Sequence, residues 1–171
     1  MRRLLPALAI ATLAVPLHAA GKTAAPAALP PGVPSADAIV GHVRDCMAAS
    51  GTPSPSFSVL TQRGWQQGSI TTPDGKPQPA ALFSKPSDMT MLVVFQQGPN
   101  AGRCMVMSPV VDLAGDQAVR ARMATLLGKP LVSADGLKQA WKTATQTVVL
   151  EPMGTEKARG VRIAVKFTEG R

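Results

Sequence analysis

Apolar and polar positions along the chain fall into blocks with a recognisable period. The longest apolar stretch beyond the N-terminal region runs from Thr90 to Val110 and carries a turn signal in its middle. Thr90 to Gln96 is apolar and β-branched, Gly98 to Gly102 with Pro99 inside it supplies a turn, and Arg103 to Ser108 returns. That pattern predicts a β-hairpin. The run is dense rather than alternating, as expected of a central strand with both faces at least partly covered.

Two stretches have helical period instead. Ser35 is an N-cap after Pro34, Asp37 follows in the first turn, and Ile39, Val43, Cys46, Met47 and Ser50 fall on one stripe that Gly51 ends. Asp112 caps a second helix in which Val119, Met123, Leu126 and Leu127 point inward, stopped by Gly128 and Pro130. A short segment from Pro55 to Arg63 fits a helical turn with Phe57 and Leu60 inward, or a strand through Phe57, Val59 and Thr61.

The remaining stretches are shorter or less regular. Trp65 to Pro79 is broken by Gly68, Gly75 and three prolines and reads as an exposed connection with, at most, a weak edge strand from Gln66 to Ile70. Ala81 to Ser84 reads as a strand, and Leu131 to Leu137 is ambiguous. Thr145 to Leu150 and Gly160 to Thr168 form a final hairpin with Glu151 to Arg159 as its loop; Val161, Ile163, Val165 and Phe167 alternate with polar or small residues. No internal repeat is visible. The order of elements predicts an α+β domain, an antiparallel sheet of about five strands with two main helices packed on one face.

The N-terminal composition adds a compartment. Arg2 and Arg3, the apolar run from Leu4 to Leu17, and the small residues Ala19 and Ala20 predict a signal peptide over residues 1–20. Residues 21–34 read as a Pro- and Ala-rich flexible tether, and 35–171 as the single domain. The apolar run is too short for the ~20 residues that span a bilayer, and no later stretch is long enough, so no transmembrane segment is expected after signal removal. The expected location is a bacterial periplasm or the outside of the cell, where thiols oxidise. The two cysteines, Cys46 and Cys104, then predict one disulfide that pins the first helix to the central hairpin.

Charge changes the picture only modestly. Without Arg2 and Arg3, 16 basic residues face 10 acidic ones, a formal charge of +6. That biases the protein toward an anionic polymer or an acidic envelope protein. Nucleic acid is disfavoured by the compartment and by the scarcity of stacking residues: four Phe, two Trp and no Tyr.

Candidate chemistry is sparse. His42 and Asp45 lie one helical turn apart, a pairing in which a carboxylate can orient an imidazole, but no second histidine ligand follows and an exposed helical His is the expectation. Serine-nucleophile and phosphate-loop motifs are absent, no spacing singles out two carboxylates, and no cofactor fingerprint is present. An acidic-residue hydrolase working beside the loop from Trp65 to Pro79 is one alternative. Met89, Met91, Met105 and Met107 form two Met-x-Met pairs, whose soft thioethers suit Cu(I), and a copper-handling protein is the other. A simple hairpin register, with Phe95 opposite Cys104 and Leu92 opposite Met107, sends the two pairs to opposite faces and reduces them to core packing. That register also puts Met91, Val93, Phe95, Cys104 and Val106 on the helix-covered face. Trp65 and the group Lys138, Trp141 and Lys142 are candidate partner contacts. The reading favoured by these observations is an exported binding or accessory protein of the cell envelope.

Overall fold

A computed structural model describes residues 28–50, 55–68 and 79–168. The expected signal peptide, the tether up to residue 27, the Gly51 helix stop and the connection over 69–78 lie outside the described residues.

Helix α1 (Ala36–Ala49) starts where the capping pattern places it: the Ser35 hydroxyl accepts from Ala38 N at 3.2 Å. Ile39, Val43 and Cys46 are fully buried along its inner stripe. The ambiguous segment after it is helical, α2 (Phe57–Gln62). Strands β1 (Gln66–Gly68), β2 (Ala80–Lys85), β3 (Asp88–Phe95) and β4 (Arg103–Pro109) follow. Helix α3 (Leu113–Leu127) is capped by Asp112, which accepts from Gly115 N at 2.8 Å. Strands β5 (Leu131–Val132), β6 (Gln139–Lys142), β7 (Gln146–Thr155) and β8 (Ala158–Phe167) complete the chain.

All eight strands form one antiparallel sheet in the order β1-β2-β3-β4-β8-β7-β6-β5. The class is α+β as expected, but the sheet has eight strands, not about five. β1, β5 and β6 are three, two and four residues long, too short to display an alternating pattern. The segment from Glu151 to Arg159, expected as a loop, instead extends β7 and β8 to a turn at Glu156 and Lys157. Gly154, at φ 84°, makes this possible, because a Cβ there would collide with the Ala158 carbonyl.

The strand order has a symmetry that composition concealed. Two helices, α1 and α2, and then four strands running inward from the β1 edge to β4 make up the first half. Helix α3 and four strands running inward from the β5 edge to β8 make up the second. The last strands of the two sets pair antiparallel at the centre, from Arg103 opposite Lys166 to Pro109 opposite Gly160.

One face of the sheet carries the core: Phe83, Leu92, Val94, Val106, Ile163, Leu150 and Trp141 are buried there with Ile39 and Val43 of α1 and Val119 and Met123 of α3. The Cys46–Cys104 disulfide ties α1 to β4 on that face, with the Cα atoms 5.6 Å apart. The Trp141 indole N–H donates to the Gly128 carbonyl at the end of α3, at 2.8 Å.

The central hairpin departs from the expected register by one residue. Met91 faces Met107, Leu92 faces Val106 and Val94 faces Cys104. The connection closes when Gly102, at φ 75°, donates its N–H to the Phe95 carbonyl at 2.9 Å. Because side chains alternate, this shift exchanges the faces of β3: Leu92 and Val94 meet the helices, while Met91, Val93 and Phe95 point the other way.

The disulfide closes a separation of 58 residues, for which chain entropy gives about 4 kcal/mol of stabilisation. Replacing both cysteines by alanine is expected to lower the unfolding free energy by up to about that amount. Guanidinium unfolding of the oxidised protein and the double variant measures it.

Candidate binding face

The side of the sheet away from the helices has no covering element among the described residues. Its central row can be followed strand by strand through the pairing. Leu82 faces Val93, Val93 faces Met105, Met105 faces Ala164, Ala164 faces Val149, and Val149 faces Ala140, which faces Leu131. Every one of these residues is apolar. The sheet thus carries a hydrophobic stripe across its open face as well as a core on the other.

The rows on either side are charged. On one, Arg103 faces Lys166, Lys166 faces Thr147, and Thr147 faces Lys142. Among the described residues none of these three cations forms an ion pair, and Arg103 Nε is buried without a hydrogen-bond partner. On the other, Met91 faces Met107, Met107 faces Arg162, and Arg162 holds Glu151 through two nitrogens at 2.8 and 2.6 Å. Lys138 adds a third contact to Glu151 at 3.3 Å. Burial alone would raise the Glu151 carboxyl, but hydrogen bonds from Arg162 and Lys138 outweigh it and hold the group below the ordinary carboxylate range.

Beyond Met107 the face deepens into a groove of about 320 Å³ lined by Met89, Met91, Met107 and Met153, with Lys157 and Arg159 at its end. Met153 lies in the segment expected to be a loop, and no pattern in the sequence marked it. Of the four methionines in the Met-x-Met pairs, three line this groove; Met105 sits one row away, in the central stripe. The expectation that the pairs project from opposite faces is overturned by the register: Met91 and Met107 are cross-strand neighbours.

A second polar cluster lies on the helix side, where β3 begins. His42 is 6% exposed, not on an open helix surface as expected, and its Nε2 bonds Asp88 at 2.6 Å. Asp45, the expected partner, instead accepts from Arg63 at 2.6 Å and from the Trp65 indole at 2.9 Å, with Lys85 at 3.5 Å. The reason is topological: a residue 46 positions away reaches His42 across the fold, and helical spacing carries no sign of it. Lys85 also stacks over the Trp65 ring, 4.6 Å from its centre. Thr90 N donates to Asp88 at 2.8 Å, and the Thr90 and Ser108 hydroxyls bond each other at 2.9 Å in the interior. The cluster fastens α1 to β3 and β4.

Trp65 and Trp141, candidates for partner contact, are 1% and 2% exposed, so both indoles belong to the core. Lys142 belongs to the unpaired cationic row and Lys138 to the Glu151 group. Among the described residues no three His, Cys, Asp or Glu side chains converge on a possible metal position, and no helix is long and apolar enough to cross a membrane. Most of the loop beside which an acidic-residue hydrolase is expected to work, 69–78, lies outside the described residues. Comparisons with protein-family models, with curated proteins and with solved structures find no match to this chain.

Burial would raise the Asp88 carboxyl, but hydrogen bonds from Thr90 and the charge of His42 outweigh it and hold it below its ordinary value of 3.8; Asp45 is lowered in the same way by Arg63, Trp65 and Lys85. Groups depressed in the folded state stabilise fully above their unfolded value and lose that contribution as pH falls through the folded one. The thermal midpoint is therefore expected to hold steady above about pH 5 and fall below about pH 4. Asp88→Asn is expected to cost about 1–3 kcal/mol at neutral pH and to flatten the acid loss, as read from unfolding curves at several pH values.

Proposed function

We propose that this is an exported accessory protein of the bacterial cell envelope that binds an acidic protein partner through the open face of its sheet. The observation that carries this reading is the juxtaposition on one surface of an apolar stripe and a row of cations, Arg103, Lys166 and Lys142, without ion pairs among the described residues. Charged groups without partners steer and orient an oppositely charged surface, and apolar area supplies affinity.

Shape favours a macromolecule. Sites for small ligands are concave, whereas this face is the side of a sheet roughly 34 Å wide at ordinary strand spacing. That is the scale of a standard interface, about 800 Å² per partner. Export is supported by the leader-like composition of residues 1–20 and by the disulfide, a bond that persists in oxidising compartments.

The test is affinity capture from an envelope fraction with the oxidised protein immobilised. Met105→Glu places a negative charge in the apolar row, and the pair Arg103→Glu and Lys166→Glu inverts the cationic row; all three positions lie on the open face, so the helix-side core is left intact. Specific capture is expected to disappear with either variant and to weaken as salt is raised. If both variants retain the same captured protein as the unmodified chain, with the same salt dependence, the partner does not use this face.

A further inference from the structure

We propose that the methionine groove is a binding site for a soft monovalent metal ion, Cu(I) or Ag(I), with Met89, Met91 and Met107 as thioether ligands and Met153 at the far rim. Four of the chain's eight methionines line this one groove, and three of them are exposed, Met89 by 57%, Met91 by 40% and Met153 by 39%. Methionine used only as core filling would be covered, as Met123 is.

The sheet places the ligands within reach of one another. Met91 and Met107 are cross-strand partners, whose Cβ atoms lie roughly 5 Å apart in such pairs. Met89 lies two residues before Met91 on the same face of β3, roughly 7 Å away, and diagonal to Met107 at roughly 7–8 Å, within reach of long side chains. Met153 lies farther off, across the bare backbone of Gly160, where a Cβ would sit 3.0 Å from its Cγ. Unbranched thioethers rotate freely enough to converge, and neutral sulfur is a ligand type that selects Cu(I) over harder ions.

Nearby charge sets the conditions. Arg162 is neutralised by Glu151, whereas Lys157 and Arg159 at the groove's end oppose a cation, an effect that salt screens. Thioethers carry no proton to displace, unlike thiols, imidazoles or carboxylates. Affinity should therefore be independent of pH where those other ligands would lose it.

Ag(I) is the first probe, since it needs no reductant and leaves the disulfide closed. It is added as nitrate, in chloride-free buffer, to the oxidised protein labelled at its methionine methyl groups. One equivalent is expected to shift the methyl resonances of Met89, Met91 and Met107 and to leave those of Met105 and Met123 in place. Met91→Leu with Met107→Leu, a volume-conserving change, is expected to weaken Ag(I) binding roughly tenfold or more, and Cu(I) binding likewise in competition with a chromophoric chelator. Met105→Leu should bind as the parent does, with equal affinity at about pH 5 and pH 7. Three results would each overturn the site: no uptake of either ion, equal affinity in the double variant with its unfolding curve unchanged, or affinity that falls on acidification.

Discussion

The pairing of β4 with β8 is the constraint on which the rest of the structure depends. Among the described residues it is the only seam between the two four-stranded halves of the sheet, and every row that crosses from one half to the other crosses it. On the helix side it aligns Cys104 with Val165 and Val106 with Ile163, the floor against which α1 packs. On the open side the same pairing aligns Met105 with Ala164 and Arg103 with Lys166, joining the apolar and cationic rows. A slip of one residue would exchange the two sides, exposing the core and burying the charges. Register at this seam is therefore specified by burial on one side and by charge on the other.

Features of the fold that rest on local period were legible in the chain. The stripes of α1 and α3, their Ser35 and Asp112 caps and the central hairpin stand out because burial on one side repeats at a helix's or a strand's own spacing. The disulfide followed from the expected compartment and the number of cysteines. What escaped the sequence depends on distance or on parity. Strands of two to four residues show no period. The face that Met91 presents depends on whether the turn before Gly102 holds an odd or an even number of residues, which backbone conformation decides. His42 found Asp88 instead of Asp45 because the chain brings β3 back to α1. Met153 was hidden inside a stretch whose charges and Gly154 gave it the look of a loop.

The polar groups divide by side in a way that bears on chemistry. On the helix side, Asp45, Asp88 and His42 have their partners and lie largely out of solvent, so their charge goes into fastening elements together. On the open side, Arg103, Lys142 and Lys166 have no such partners among the described residues, and thioethers stand in solvent. The cations without ion pairs and the solvent-exposed thioethers are thus concentrated on the surface that contributes least to the core.

Both cysteines fall in the first of the two halves, on α1 and β4, and the second half supplies no atom to their bond. In the export proposed above, the N-terminal half would arrive first, and oxidation could lock α1 over β4 before the rest of the chain emerged. The locked half then offers β4 as a fixed edge, already facing the right way, along which β8 can zip. The order of the two halves along the chain thus matches the order in which they can become rigid.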